Sequence, residues 1–203
     1  MRTVGIGHQD FETIRNGNYF YIDKTNFIRE WWESGDSVTL ITRPRRFGKT
    51  LNMSMVEKFF SVKYKDREDL FQGLQIWEEK TSPKDNSFVK DEPSDDVYKY
   101  RNLQGTYPVL FLSFADVKET SYEQARKRIC SIIKELYNQY TFLLDGNLLS
   151  ENEKRDFRNI SAYMEDYEAS GSIKALCNFL SRFYKKRLSF YWMNMTRPCR
   201  RPM

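Results

Sequence analysis

The sequence predicts an α/β domain built on a parallel sheet, and three observations predict it. Residues 38–41 and 107–114 are short, almost unbroken apolar runs, the pattern of strands buried on both faces. Segments with apolar residues every three or four positions stand between and after them, so strand and helix alternate along the chain. The run at 38–41 leads into a basic turn ending in Gly48-Lys49-Thr50, and a helix-like segment follows at once. The 203 residues suffice for one domain with a real core.

Taken in order, residues 18–23 alternate and are aromatic, which predicts a short strand. Asp23 or Thr25 then caps a helix whose buried face is Phe27, Ile28, Trp31 and Trp32 and which ends near Gly35. Residues 38–41 form a buried strand. The helix after Thr50 carries Leu51, Met55, Val56 and Phe59 on one side and runs to about residue 62. Residues 68–77 predict a short helix with a turn at Gly73. Residues 78–106 read as an exposed polar loop, charge-mixed and interrupted by Pro83 and Pro93. Residues 107–114 are the second buried strand.

Three helices close the pattern. Ser121 with Gln124, and Ser150 with Glu153, have the spacing of capping boxes. The first is followed by Tyr122, Ala125, Ile129, Ile132, Ile133, Leu136 and Tyr140, the second by Phe157, Ile160, Met164 and Tyr167. Ser172 caps the third, which carries Ile173, Leu176, Leu180 and Phe183. These stripes are core faces. Only two convincing buried strands follow the first helix, so the sheet is expected to be incomplete.

Arg43-Pro44-Arg45-Arg46-Phe47-Gly48-Lys49-Thr50 carries the chemistry. Gly-Lys-Thr between a strand and a helix is the end of a phosphate-binding P-loop. The N–H groups of a helix N-terminus face an anion, and the helix dipole favours negative charge there. Gly48 lets the backbone approach a phosphate, Lys49 reaches the β/γ-phosphates, and the Thr50 hydroxyl holds Mg²⁺. The full pattern asks for Gly five residues before Gly48, where Arg43 stands. Arg45 and Arg46 add positive charge near the phosphates or form a solvated basic turn.

This loop resembles the Arg-Pro-Arg-Arg-Phe-Gly-Lys-Ser/Thr loop of the bacterial AAA-ATPase-like family. Gly5-Ile6-Gly7, residues 11–15, Tyr21-Ile22-Asp23-Lys24-Thr25, residues 70–74 and residues 107–114 resemble that family as well. The resemblance covers about residues 4–186. It implies a P-loop NTPase-type parallel sheet flanked by helices, in truncated and incomplete form, and it implies ATP and Mg²⁺ as cofactors. It makes Arg43 the norm at its position. It gives Arg43, Arg45, Arg46, Phe47, Gly48, Lys49 and Thr50 as nucleotide-binding residues, with Thr50 on the metal. Asp23 and Lys24 match a family motif near the nucleotide, and their plainer reading is a strand end and helix cap. Family members often carry a PD-(D/E)XK nuclease-like domain further along, which this chain lacks, so nucleic acid is expected as a partner only through that missing domain.

Composition narrows the rest. No apolar stretch approaches the roughly 20 residues that span a membrane. The N-terminus lacks a signal-peptide apolar region, and Cys130, Cys177 and Cys199 show no metal-ligand spacing, which fits a reducing cytoplasm. His8 is the single histidine. The net charge is +5, but Arg187, Arg197, Arg200 and Arg201 lie in a tail, residues 187–203, without Asp or Glu; setting those four aside leaves +1.

That tail departs from the pattern and is expected to be a disordered or irregular addition to a domain over residues 1–186. Trp and Met have single codons, so its coding sequence is tightly constrained. Read one base earlier, residues 190–196 become Leu-Leu-Asp-Glu-(Tyr or His)-Asp, the acidic strand that the family resemblance implies at this point. Residues from about 187 onward are therefore expected to be a frameshift product, the plainer alternative being a divergent C-terminus. The expected function is ATP binding with little hydrolysis, because the acidic strand is absent in frame. The alternatives are a STAND-like nucleotide switch and a non-enzymatic module for single-stranded nucleic acid using Arg43, Arg45, Arg46 and exposed aromatics.

Overall fold

A computed structural model describes residues 3–36, 38–42, 47–80, 98–186 and 188–193. The chain divides into two compact units, residues 1–107 and residues 108–203.

In the first unit, α1 (Phe11–Asn16) starts where the Asp10 carboxylate accepts the Thr13 N–H at 2.9 Å. The helix α2 (Asn26–Ser34) begins after Thr25 and ends at Gly35, whose φ of 64° is left-handed and suits glycine. Of its expected buried face, Ile28 is fully buried, while Trp31 and Trp32 pack on Phe60 with ring centroids 5.4 and 5.6 Å apart. The helix α3 (Lys49–Phe60) carries the buried residues Asn52, Ser54, Met55, Val56, Lys58, Phe59 and Phe60. A helix buried on most of its circumference is the central post of its unit. The helix α4 (Gln75–Glu78) is a single turn. Phe59 meets Phe71 edge-on at 5.0 Å and Phe11 stacks on Phe71 at 5.2 Å, so α1, α3 and the turn before Gly73 share one aromatic core.

Four expectations for this unit need correction, the first being the strand over residues 18–23, which joins no ladder. Residues 38–41 form no strand, and Val38 and Leu40 are 87% and 83% exposed. A strand exists only by hydrogen-bonding to a neighbour, and an apolar run does not supply the neighbour. Residues 68–77 are a 3₁₀ turn, Glu68–Leu70, followed by α4, separated at Gly73 with φ 75°. Within the exposed loop expected over 78–106, residues 81–97 lie outside the described residues, and residues 98–106 pack closely. Tyr100 is fully buried and donates its hydroxyl to Glu33 at 2.5 Å. The Arg101 guanidinium lies 3.3 Å from the Tyr98 ring centroid and 4.9 Å from that of Trp77. Aromatic and cation–π contacts fold a stretch that charge content alone marked as loop.

The second unit centres on β1 (Val109–Ser113), with Leu110 and Leu112 buried. Packed in the same core are residues of α5 (Tyr122–Asn138), α6 (Glu151–Asn159) and α7 (Asp166–Tyr184), including Ile133, Leu136, Phe157, Leu176 and Leu180. Ser121 caps α5, and the Ser150–Glu153 capping box forms in full. The third helix starts earlier than expected. Glu165 and Glu168 make its capping box, so Ser172 is an interior residue donating to the Ala169 carbonyl at 2.7 Å, and Tyr167 belongs to α7. The Tyr137 hydroxyl, whose pKa burial pushes up, donates to the Ser172 carbonyl at 2.6 Å and ties α5 to α7.

The strand β2 (Ser189–Met193) pairs parallel with β1, Val109 opposite Ser189 and Ser113 opposite Met193. The tail expected to be irregular is therefore a strand over these residues, its backbone paired with β1; residues 194–203 lie outside the described residues. Among the described residues the sheet has two strands, β1 and β2; the strand expected at residues 38–41, which was to lead into the P-loop, joins no ladder.

A half-buried ion pair ties the start of α1 to α3. The Asp10 carboxylate accepts from Lys58 Nζ at 2.6 Å and from the Ser54 hydroxyl at 2.9 Å, and the Lys58 side chain is only 5% exposed. Partial burial pushes the Asp10 carboxyl up, but the hydrogen bonds from Lys58, Thr13 N–H and Ser54 outweigh it and hold the carboxyl at about 2. A depressed folded-state pKa gives stability that is present above the unfolded value near 3.8 and lost as pH falls through the folded one. Asn is an equally good helix cap, so Asp10→Asn isolates the charge pair. Urea unfolding should show Asp10→Asn less stable than the parent at pH 7, with the difference shrinking between pH 4 and pH 2. A difference that stays constant across that range contradicts the pair's role.

Candidate functional site

The site is built at the N-terminus of α3. Gly48 takes φ 73° and ψ 18°, the left-handed corner that turns the chain into the helix. The Asn52 N–H then donates to the Gly48 carbonyl at 2.9 Å, the first bond of the helical ladder. Helix geometry leaves the first-turn N–H groups without helical acceptors and aims them outward. Lys49 and Thr50 sit half-buried on that turn, and Phe47 is 57% exposed beside it. Arg43, Arg45 and Arg46 lie outside the described residues.

A second segment meets this corner. Lys24 brings its Nζ to 3.5 Å from the point where a Cβ on Gly48 would stand. Residues far apart in sequence, Lys24 and Gly48, thus share one corner, and their juxtaposition concentrates positive charge where an anion meets the helix dipole.

Asp23 does something different. Its Oδ1 accepts the Thr25 N–H at 2.8 Å and the Thr25 hydroxyl at 2.7 Å, and its Oδ2 accepts the Gln75 N–H at 2.7 Å. The Thr25 Oγ1 in turn accepts the Ile76 N–H at 3.2 Å, and Thr25 is fully buried. Asp23 and Thr25 together satisfy the start of α4 and join it to the start of α2. Both carboxylate oxygens are used in this clamp, which matches the plainer reading of Asp23 as a cap.

Two residues escaped the sequence reading. Tyr21 donates its hydroxyl to Met55 Sδ at 3.2 Å and accepts the Lys24 N–H at 3.3 Å, so it locks the Lys24 backbone to α3. Burial pushes its pKa up to about 12. Asn52 is 7% exposed with its Oδ1 buried and unpartnered. An amide on the same helix stripe as Met55, Val56 and Phe59 was the available signal for it.

The clamp has a measurable consequence. Thr25→Val keeps the shape but removes the acceptor of the buried Ile76 N–H and the donor to Asp23. Chemical denaturation should show a loss of about 1–3 kcal/mol, the cost of an orphaned buried donor. A change within a few tenths of a kcal/mol means that the clamp does not hold the unit together.

The family of predicted AAA-ATPases matches residues 5–187. An uncharacterized protein in the vnfD 5′ region of Azotobacter chroococcum mcd 1 is 43% identical over 76 residues, which is 37% of this chain and 14% of that protein. The matched stretch is thus a small part of that relative. No solved structure matches the chain. With the match spanning nearly all of its length, and with the glycine corner, Lys49 and Thr50 set at the start of a helix, the chain belongs to the AAA-ATPase-like family.

Proposed function

We propose that the chain binds ATP through the N-terminus of α3 and hydrolyses it little. The observation that carries this is the Gly48 corner, with Lys24 Nζ beside it and Lys49 and Thr50 on the first turn of a helix. These groups fit a polyphosphate: two ammonium groups, outward first-turn N–H groups, and a backbone that no Cβ obstructs. Phe47, Arg43, Arg45 and Arg46 complete the proposed binding set. Lys49 faces the β/γ-phosphates, and Lys24 is the second cation. Asp23 stays in the clamp between α2 and α4, and Tyr21 holds the Lys24 N–H.

Magnesium would be held by the Thr50 hydroxyl and by phosphate oxygens. Among the described residues no group of three or more His, Cys, Asp or Glu stands ready to hold a metal. A bound Mg²⁺ supplies charge neutralisation between phosphate oxygens. Among the described residues of this site no carboxylate pair stands ready to orient a water for attack, which is why little hydrolysis is proposed.

The missing carboxylates are proposed to be encoded one base out of frame in this bacterial-type sequence. What supports this is register. Trp192 and Met193 stand opposite Leu112 and Ser113 at the carboxyl end of a parallel strand. The shifted codons spanning residues 192–194 read Asp-Glu, and in parallel α/β sheets ligands meet the carboxyl ends of strands. Sequencing of the gene should show the codons of residues 187–203 opening into a longer alternative frame. Codons that do not open in that way overturn the idea.

Calorimetric titration of the full chain with ATP and Mg²⁺ tests the binding. Lys49→Ala should weaken binding about tenfold or more, near 1.4 kcal/mol. Phosphate release by the parent chain should stay at the level of Lys49→Ala. Equal ATP affinity in parent and variant overturns the nucleotide reading, and Mg²⁺-dependent turnover lost in Lys49→Ala overturns the little-hydrolysis part.

A further inference from the structure

Residues 19–24, between α1 and α2, alternate in exposure: Tyr19, Tyr21 and Asp23 are half-buried, and Phe20, Ile22 and Lys24 are exposed. Such a period of two is that of an extended chain with one face inward. The inner row is firmly held. Tyr19 lies on His8 with centroids 4.7 Å apart, Tyr21 meets Phe11 edge-on at 5.4 Å and reaches Met55, and Asp23 is spent on Thr25 and Gln75. The Phe20 N–H donates to the Thr3 carbonyl at 2.8 Å. The outer row is therefore displayed from a fixed backing.

That row is unusual in composition. Phe20 and Ile22 are 53% and 65% exposed, and they stand in line with the lysine whose ammonium reaches Gly48. Single apolar residues on a surface need no account, but two in a row leading to a phosphate corner do. At about 3.3 Å per residue, Ile22 lies roughly 7 Å and Phe20 roughly 13 Å along the row from Lys24. Positive charge at the loop, then an aliphatic side chain, then an aromatic ring is the order of phosphates, ribose and base in a nucleotide. A second observation marks the same corner. Asn52 holds a buried, unpartnered Oδ1 one turn into α3, and helical side chains lean toward the N-terminus, here toward Gly48.

We propose that Phe20, Ile22 and Lys24 form the second wall of the nucleotide site, with Lys24 on the phosphates, Ile22 against the ribose and Phe20 stacked on the base. This rests on the nucleotide reading above and adds what recognises the nucleoside. The complementarity of the row selects the occupant: a nucleoside polyphosphate is anionic at the end where Lys24 stands and flat and stackable at the other.

The test compares ATP with inorganic tripolyphosphate, which has the charge without the nucleoside, by calorimetry on the full chain with Mg²⁺. The parent should bind ATP more tightly than tripolyphosphate. Phe20→Ser with Ile22→Ser should weaken ATP about tenfold and leave tripolyphosphate unchanged, since stacking on one aromatic is worth about that factor. Lys24→Met should weaken both ligands by threefold or more. Both variants change exposed side chains, and unchanged thermal melts confirm that they fold. If Lys49→Ala weakens both ligands but the serine variant binds ATP as the parent does, the wall is overturned and the nucleotide reading stands. If Lys49→Ala changes neither ligand, both fall. If the serine variant instead abolishes self-association in sedimentation without touching ATP affinity, the row is an interface between copies and the wall is overturned.

Discussion

The carboxylate of Asp23 accepts three hydrogen bonds, two from Thr25 and one from the first residue of α4, and much of the first unit follows from that. Thr25 is drawn into full burial, where its hydroxyl takes the Ile76 N–H, so α2 and α4 begin from one polar knot. A carboxylate accepting backbone and hydroxyl donors is satisfied where it stands and has little to offer a ligand. Because alternation along an extended chain is strict, fixing Asp23 inward fixes Lys24 outward, and a slip of one residue would reverse the whole row. Lys24 reaches Gly48 because its neighbour cannot turn.

What the sequence made legible was local. The Ser150–Glu153 box, the Ser121 cap and the Gly35 stop of α2 are all set by residues within four positions of one another, and all stand where the pattern put them. The glycine corner and helix start at Gly48, Lys49 and Thr50 were legible for the same reason. Val38 to Ile41, read as a buried strand, failed because pairing is not local: an apolar run does not decide whether a ladder forms, which depends on segments far away. The start of α7 was missed because only Ser172 was considered as its cap. Ser172 has the better capping side chain, but Glu165 and Glu168 satisfy each other's backbone N–H groups and win the position seven residues earlier. Tyr98 to Gln104 looked like loop because charge content hides stacking: Arg101 between Tyr98 and Trp77 is at once a charge and a packed surface.

The meeting of Lys24 with Gly48 could not be read from spacing at all. It depends on Tyr21, which is anchored to Met55 on α3 and holds the Lys24 N–H. A motif of five residues, Tyr21 to Thr25, therefore divides its labour by parity. The odd members, Tyr21, Asp23 and Thr25, face the protein and are engaged there; the even members, Ile22 and Lys24, face out. Treating Asp23 and Lys24 as one functional pair overlooks that they lie on opposite faces.

The polar residues on the buried side of α3 carry the last step. Ser54 and Lys58 are both buried, and both are answered by Asp10, with Ser54 also accepting the Phe11 N–H at 3.0 Å. An ammonium and a hydroxyl would cost several kcal/mol in that place without such partners. Asn52 lies on another face of the same helix, in line with Met55, Val56 and Phe59, and its Oδ1 has none. A protein that supplies a carboxylate for Lys58 and two further partners for Ser54 has the means to satisfy one amide oxygen. The acceptor left over is the one nearest the glycine corner. Among the described residues, polar satisfaction along α3 is thus complete at Ser54 and Lys58, which Asp10 answers, and incomplete at Asn52, one turn from the Gly48 corner.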